Sequence, residues 1–341
     1  MSEKITFALP SKGAISEPTL SFLRDCGLRV EKPNDRQYTG LIAGLPSVNV
    51  LFQRVKDVLY KVADGTAQLG ITGYDVVREF PHDDLVVIHP GLGYGHCSLV
   101  IAVPEAWVDV DQVDDLMDVA QDMREHQQRN LRVATTYPHL TRQFLHTRGI
   151  HHFNIVKAEG AIEVAPTIGY ADVIVDLTQT GTTLRENHLK QLADGTIIDS
   201  QAVLVGNRRA LEQNPLLLDT LRAMLEYIDA ALYGRRYAQV TVNICGSGAD
   251  EIGRKVVAAP ATAGLLGPTI APIYSPRGSE DDRRWHTVTI TVENKHLMQA
   301  VEHLRSIGGT QIITTPVRYI FLEQSPTFEA LLKALNLPGQ G

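Results

Sequence analysis

The sequence predicts an α/β protein, with a mostly parallel, doubly wound core followed by a smaller domain of mixed strands and helices. Two observations carry this. Strand-like runs alternate with helical segments across glycine-containing turns from residue 4 to about residue 185, which is the rhythm of βα units. From about Arg235 the pattern becomes YAQVTVNICG, ADEIGRKVVAA, PTIAPIYS, WHTVTITVE, KHLMQAVEHLRSIG and TQIITTPVRYIF. Read as strand, helix, two strands, helix and strand, that order is the ferredoxin-like βαββαβ arrangement of small ligand-sensing domains. At 341 residues the chain is long for one core, so two or three domains are expected.

In order along the chain, KITFALP at 4–10 reads as a first strand and Ser11-Lys12-Gly13 as the turn after it. Ser16 is an N-cap, with Glu17 and Pro18 in the first turn of a helix that ends near Gly27. PSVNVLF at 46–52 is strand-like, with Gln53 to Asp57 at its carboxyl end and a helix from about Val55 to Ala63. QLGITGYDVVREF is a strand, a turn at Gly73 and a helix start; strands at 85–90 and 97–103 are joined by GLGYGH. Residues 105–129 are acidic and polar at helical spacing, a solvated helix on the rim of the fold. LRVATT is a strand, Tyr137-Pro138-His139 turns into the helix LTRQFLHTRG, and HFNIVKAEG is the next strand. TIIDSQAVLVG reads as two short strands, and 210–234 as one long helix, amphipathic through Leu211, Leu218, Leu221, Leu225, Ile228 and Leu232. The tail QSPTFEALLKALNLPGQG is a short amphipathic helix with a flexible end, and its face of Phe328, Leu331, Leu332 and Leu335 needs a cover.

Composition removes several function classes. A net charge of −7 argues against a general nucleic-acid binder, while leaving room for a local basic pocket. Cys26, Cys97 and Cys245 are far apart, with neither metal-ligand spacing nor a disulfide framework, and suit a reducing compartment. The first residues enter a strand without a basic or apolar leader, and no apolar run reaches the ~18 residues of a membrane span. The expectation is a cytoplasmic protein with no nucleic-acid and no membrane partner.

One stretch concentrates polar chemistry. EVAPTIGYADVIVDLTQTGTTL at 163–184 begins with Glu163 and runs into a buried strand, Ala171 to Val175, that ends on Asp176. Thr178-Gln179-Thr180-Gly181-Thr182-Thr183 follows, and a helix begins at Leu184. Strand, acid, hydroxyl- and glycine-rich turn, helix start is the layout of a phosphate-binding loop: turn N–H groups and threonine hydroxyls converge on an anion. An ordinary βα turn with Gly181 supplying a positive φ is the plainer reading, but four threonines beside a strand-terminal acid exceed what a turn needs. The loop lacks Walker spacing, and GLGYGH at 91–96 is a glycine-rich connection and not a dinucleotide fingerprint.

Other candidates are weaker. Arg54 and Lys56 at a strand end, with Lys12 in the first turn, could neutralise a second anionic group or be solvated loop residues. Glu163 suits sugar hydroxyls, which carboxylates bind as acceptors, or is a surface acid. His139 is read as a packed or capping residue before a catalytic base. No Ser/His/Asp or Cys/His arrangement and no H-x-x-x-H zinc pattern is legible among the twelve histidines, and His151-His152 read as loop residues.

The pattern E-x5-G-x-A-x2-I-x-D-L-x2-T-G-x-T-L, realised as Glu163, Gly169, Ala171, Ile174, Asp176, Leu177, Thr180, Gly181, Thr183 and Leu184, resembles the signature of the ATP phosphoribosyltransferases, which catalyse the first step of histidine biosynthesis. ALPSKGAIS, QRVKD, LGITGYD, LGYGHCSLVIAVP and RVATTYPHL extend the likeness along the chain. The resemblance implies a two-lobed, periplasmic-binding-protein-like catalytic core: lobe I at 1–104 and 186–234, lobe II at 105–185 with the phosphoribosyl pyrophosphate (PRPP) loop. A regulatory and assembly domain at 235–341 implies the long form, inhibited by histidine. The implied reaction is magnesium-dependent: N1 of the ATP adenine displaces pyrophosphate from C1 of PRPP. It implies catalytic roles for Asp176, Arg54 and Lys12, and PRPP contacts from Glu163, Asp176, Thr178, Thr180, Gly181, Thr182 and Thr183. ATP contacts fall to Ser11, Gly13, Lys56, Gly73 and Tyr137, and histidine contacts to Leu265, Gly267, Thr269 and Thr310. Mg²⁺ is implied with no tight protein ligands, Asp176 being the one candidate, and a homo-oligomer, a hexamer built from dimers, is implied as the assembly. Two positions depart from the pattern: Ala14 where many members have Arg after the first-turn glycine, and Gln68 where an acid usually precedes Leu-Gly. Two other readings remain open at this level: a small-anion or phosphoribosyl-ligand binding protein, and a catalytically silent regulatory paralogue.

Overall fold

The computed structural model describes residues 4–32, 34, 37–158, 160–274 and 284–338. The chain forms two compact units, Met1–Thr220 with Leu331–Gly341, and Leu221–Ala330.

The first unit holds two open sheets. The seven-stranded sheet has the order β2 (Val30–Glu31), β3 (Thr39–Ile42), β4 (Leu45–Gln53), β1 (Ile5–Pro10), β5 (Leu69–Gly73), β12 (Ala202–Asn207) and β6 (Leu85–His89). β1 lies parallel to both β4 and β5, and β12 runs antiparallel between β5 and β6. β5 and β12 are buried at every position, as continuous apolar runs in a sheet covered on both faces must be. The helix Val55–Ala63 packs Val58, Leu59 and Val62 onto this sheet beside Ala8, Val203 and Val205.

The five-stranded sheet has the order β11 (Leu189–Ser200), β7 (Cys97–Pro104), β10 (Val173–Thr178), β8 (Leu131–Thr135) and β9 (Phe153–Lys157). β8, β9 and β10 are parallel, and β7 runs antiparallel to β10 and β11. Alternate residues feed two cores. Leu99, Ile101, Val133 and Val175 face the helices Val113–His126 and Pro138–Thr147, while Val100, Ala102, Ala134 and Ile174 meet Leu184 and Ile162.

The two sheets repeat one plan. In each, three parallel strands lie in the order second, first, third, followed by one antiparallel strand brought in by the crossing chain and then a fourth strand. The chain crosses after β6 and returns between β11 and β12. This corrects the expected lobe boundaries, because the strands at 97–104 and 189–200, assigned to lobe I, belong to the second sheet. Apolar alternation identifies a strand but not the sheet that receives it.

Three further expectations change. The segment read as one helix at 210–234 is two, Arg208–Gln213 and Pro215–Gly234, because Pro215 offers no N–H to continue the first. Asn207 and Asn214 side chains cap the two starts, accepting from Ala210 and Leu217 N–H groups at 2.9 and 3.1 Å. The acidic stretch forms the helix Val113–His126, opened by a reciprocal Gln112/Asp115 capping box; expected as a solvated helix on the rim, it buries one face through Val113, Leu116, Ala120 and Met123. Residues 331–338 group with the first unit rather than with the C-terminal domain, and Phe328, Leu331, Leu332 and Leu335 are buried.

In the second unit, β13 (Tyr237–Cys245), β14 (Thr269–Pro272), β15 (Trp285–Glu293) and β16 (Thr310–Pro316) form an antiparallel sheet in the order β14-β15-β13-β16. With the helices Ala249–Val257 and Leu297–Ser306 between them, this is the expected βαββαβ arrangement. Ile252, Val256, Ala300 and Leu304 close one face over Val240, Val242, Val288 and Ile290. The second strand was expected to reach Ser275, which lies outside the described residues. The last strand stops at Pro316 instead of running to Phe321, where proline ends the ladder with β13.

Candidate active site

β10 delivers the loop that the sequence singles out. Asp176 sits near its carboxyl end, opposite Val100 of β7, and its Oδ1 accepts the Leu177 N–H at 2.8 Å. Gly181 is the N-cap of the helix Thr182–Glu186 and takes φ +70°, a left-handed conformation that a side chain would strain. Its N–H donates to Thr178 Oγ1 at 2.9 Å, closing the turn, and the Thr180 and Thr182 hydroxyls pair at 2.9 Å. The next helical N–H groups have no carbonyl four residues back within the helix and are open to an anion.

The loop forms one wall of a cavity of about 680 Å³. The same cavity is lined by Glu163, Tyr137 and Cys97, and, from the seven-stranded sheet and its helices, by Ile15, Val55, Lys56, Gly73, Asp75, Val76 and Phe80. One end is thus a hydroxyl and carboxylate surface and the other an apolar wall with one cation. Lys56 Nζ lies 4.1 Å from the Phe80 ring centroid, a cation–π contact that keeps the ammonium over the ring.

Electrostatics mark Asp176. Burial pushes its carboxyl up to about 6, the Leu177 N–H opposes this, and the neighbouring Glu163 charge raises it further. Glu163 lies on the 3₁₀ turn Ile162–Val164, anchored by buried Ile162. Burial also raises the Cys97 thiol to about 11, with Asp75 adding to it, so this cysteine is no thiolate nucleophile near neutrality. The Tyr137 hydroxyl is held protonated by burial and by the Asp75 charge beside it.

Of the residues expected from sequence, Lys56, Gly73, Tyr137, Glu163, Asp176, Thr178, Thr180, Thr182 and Thr183 line the cavity together. Gly181 lines the adjoining groove with Arg185 and Lys190. Ser11, Lys12, Gly13 and Arg54 do not line it; their chain neighbours Ala14, Ile15 and Val55 do, and the Ser11 N–H ties the two loops by donating to Gln53 O at 2.7 Å. Lys12 and Arg54 are exposed. His139 starts a helix, with its N–H donating to Glu79 Oε1 at 2.8 Å. Thr269 and Thr310 stand on the opposite edge strands β14 and β16, so one edge of the sheet cannot bring them together. Among the described residues no group of three His, Cys, Asp or Glu side chains could hold a metal ion.

Sequence reading missed Asp75, Glu79, Ser200, Cys97 and Gly95. Asp75 carried a signal, since it stands just past the glycine that ends a buried strand, as Asp176 stands near the carboxyl end of its own. Ser200 carried none, because its partner is 125 residues away.

Comparison with known proteins gives the family. The sequence model of the ATP phosphoribosyltransferase family matches residues 54–229, and that of the HisG C-terminal domain matches 235–319. The chloroplastic ATP phosphoribosyltransferase 2 of Arabidopsis thaliana is 39% identical over 337 residues, 98% of this chain and 81% of that protein. The ATP phosphoribosyltransferase of Bradyrhizobium diazoefficiens is 35% identical over 334 residues, 97% of this chain and 98% of that protein. The solved ATP phosphoribosyl transferase (HisG:HisZ) complex of Thermotoga maritima contains a chain of similar fold, with a TM-score of 0.51 and 24% identity over 66% of this chain and 95% of that one. By sequence along nearly its whole length, the chain belongs to the ATP phosphoribosyltransferase family.

Proposed function

We propose that the cavity under the Asp176–Thr183 loop is where this ATP phosphoribosyltransferase joins its two substrates. The activity of the family is condensation of ATP with PRPP to N1-(5-phosphoribosyl)-ATP and pyrophosphate, the first step of L-histidine biosynthesis. The bond from C1 of the ribosyl group to pyrophosphate breaks, and its electron pair leaves with the pyrophosphate. The lone pair on adenine N1 forms the new bond. This centre needs no protein nucleophile, in keeping with the protonated Cys97 in the cavity wall.

In this reading the loop N–H and hydroxyl groups of Thr178, Thr180, Gly181, Thr182 and Thr183 hold the 5-phosphate. Asp176 and Glu163 accept from the ribose hydroxyls, and their charge favours the positive charge that develops at C1. The observation that carries it is geometric: the Asp176 and Glu163 carboxylates line one cavity together with Thr178, Thr180, Thr182 and Thr183, an acceptor set beside a hydroxyl-rich turn. The apolar wall of Val55, Val76 and Phe80 suits the adenine, and Lys56 suits its phosphates. Lys12 and Arg54, next to lining residues, are assigned to the leaving pyrophosphate. Holding both substrates in one geometry supplies much of the rate.

Magnesium fits this donor set only as an ion shared with substrate phosphates: of the three carboxylates lining the cavity, Asp75 has both oxygens engaged, leaving Asp176 and Glu163, and among the described residues no group of three ligating side chains forms a cage. When bound it would neutralise the departing pyrophosphate, and in this reading Asp176 would be the protein group that meets it or its water. Feedback inhibition by histidine through the βαββαβ domain, with Leu265, Gly267, Thr269 or Thr310 in contact, belongs to the same reading. So do a hexamer built from dimers and a cytoplasmic location. None of the three cysteines is in a disulfide, and among the described residues no helix is long and apolar enough to cross a membrane.

The test is product formation from ATP and PRPP, followed by the growth in absorbance. Thr183→Ala and Asp176→Asn should lose turnover or PRPP affinity; unchanged kinetics in both would overturn the site assignment.

A further inference from the structure

We propose that Asp75 and Glu79, two buried carboxylates on the short helix Tyr74–Glu79, are positioning residues that latch the two halves of the cleft at a fixed separation. The proposal rests on reading the cavity as the substrate site.

The argument is geometric. Asp75 and Glu79 are 5% and 3% exposed, on a helix that follows β5 of the seven-stranded sheet. Each of their four oxygens accepts a hydrogen bond from a segment of the five-stranded half. Asp75 Oδ1 accepts from Ser200 Oγ at 2.6 Å, at the end of β11, and Oδ2 accepts from Tyr137 Oη at 2.6 Å. Glu79 Oε1 and Oε2 accept from the His139 and Leu140 N–H groups at 2.8 and 2.9 Å, in the first turn of the helix Pro138–Thr147. Ser200 is held twice, since its Oγ also accepts the Asp75 N–H at 2.9 Å. Gly73 makes room for the arrangement: a Cβ there would lie 2.3 Å from Asp75 Oδ1.

Holding two lobes together needs only apolar contact, and burying two carboxylates costs free energy unless every acceptor is matched. Here four charge-assisted bonds are matched across the junction. Such bonds are short and directional, so they specify an orientation that apolar packing leaves loose. One side of the junction carries Lys56 and Phe80 and the other carries the phosphate loop. The latch therefore sets how far adenine N1 stands from C1 of the ribosyl group. Asp75 and Tyr137 border the cavity, but the Asp75 oxygens are already engaged, which separates this role from substrate contact.

The experiment measures kcat and KM for ATP and for PRPP on the full chain. The variants are Tyr137→Phe, Ser200→Ala, the double variant, Asp75→Asn and Gly73→Ala, with Thr183→Ala alongside. Loss of one charge-assisted bond should lower kcat/KM roughly 10-fold, and by the same factor for both substrates. The double variant should fall no further than Asp75→Asn, because both hydroxyls act through that carboxylate. Gly73→Ala should reproduce the defect by displacing an unaltered Asp75. A change confined to one substrate would overturn the proposal in favour of direct contact. A lower thermal midpoint with unchanged kcat/KM would overturn it in favour of a purely fold-holding role. If Asp75→Asn does not fold, Tyr137→Phe, which removes one oxygen atom, decides the matter alone. Thr183→Ala reads the underlying assignment separately: an unchanged KM for PRPP there discards the cavity reading, whatever the latch variants do.

Discussion

Arg132 grips Asp172 at three points and reaches past it to the loop behind. Its backbone N–H, Nε and Nη2 donate to the Asp172 carboxylate at 2.8, 3.2 and 2.9 Å, and Nη1 donates to the Gly169 carbonyl at 2.8 Å. The pair fastens the stretch that follows the Glu163 turn to β8. Burial alone would raise the Asp172 carboxyl, but the hydrogen bonds from Arg132 and Arg129 outweigh it and hold it below the ordinary carboxylate range.

Arg132→Ala should therefore cost roughly 2 kcal/mol of unfolding free energy in a denaturant titration, with Arg129 still covering part of the carboxylate. It should also raise the KM for PRPP by loosening Glu163. Arg132→Lys should recover little, because an ammonium cannot reproduce the fork. The sign with pH follows from the lowered carboxyl. Its stabilisation is present above the ordinary carboxylate value and lost as pH falls through the folded value. In acid titrations the Arg132→Ala variant should unfold at a higher pH than the parent.

Asp176 behaves the opposite way. Its folded value near 6 lies above the ordinary 3.8, so the native state holds the proton more tightly than the unfolded chain between those pH values, and stability falls as pH rises through that window. Asp176→Asn should raise the thermal midpoint at pH 8, where the parent buries a charge. If the ionised carboxylate serves the ribosyl centre, kcat/KM should fall ~10-fold per unit below about pH 6. That limb should be absent from the residual activity of Asp176→Asn. A parent profile flat from pH 5 to 8 would count against the role.

The turn Thr178–Thr183 gives a conformational test of the proposed 5-phosphate contact. Gly181→Ala places a side chain at φ +70°, at a cost of roughly 1–2 kcal/mol. It should weaken PRPP binding while leaving the KM for ATP nearly unchanged. Isothermal titration with PRPP checks this directly, and equal losses for both substrates would mean that the loop serves more than the 5-phosphate.

Histidine sensing should be tested on the full chain. Deleting 236–341 would also remove residues 331–338, which belong to the first unit, including buried Leu331 and Leu332 and the Ala334 carbonyl that accepts from Arg208 Nη1 at 3.1 Å. The expected result of that truncation is a marked fall in thermal midpoint. Point variants avoid this. Thr269 and Thr310 are three strand spacings apart, roughly 14 Å, so Leu265→Ala and Thr310→Ala probe different edges. The one that touches bound histidine should raise the inhibitory concentration several-fold with basal turnover unchanged. If neither does, the assignment of histidine contacts to Leu265 and Thr310 falls.

Much of this was local information, and local information was legible. β10, Asp176, the Gly181 turn and its threonines occupy one short stretch, where chain order and side-chain chemistry are enough to specify a loop. The βαββαβ order of the last domain was equally plain, because alternation and helical spacing are local patterns. What remained hidden was pairing at a distance. The sequence shows that 97–104 and 189–200 are strands but not which sheet takes them, since the same alternation fits either. Arg54 and Lys12 were candidates by residue type, while Val55, Ala14 and Ile15 form the wall and the two cations are exposed. Asp75, Tyr137 and Ser200 show the limit most sharply. Nothing local ties them to one another, and only the return of the chain over 125 residues brings the carboxylate and the serine hydroxyl to 2.6 Å. The sequence by itself determined the hydroxyl- and carboxylate-bearing loop at 163–184; the tertiary structure alone decided how the opposing wall is held against it, because hydrogen bonds between distant segments exist only after both sheets have formed.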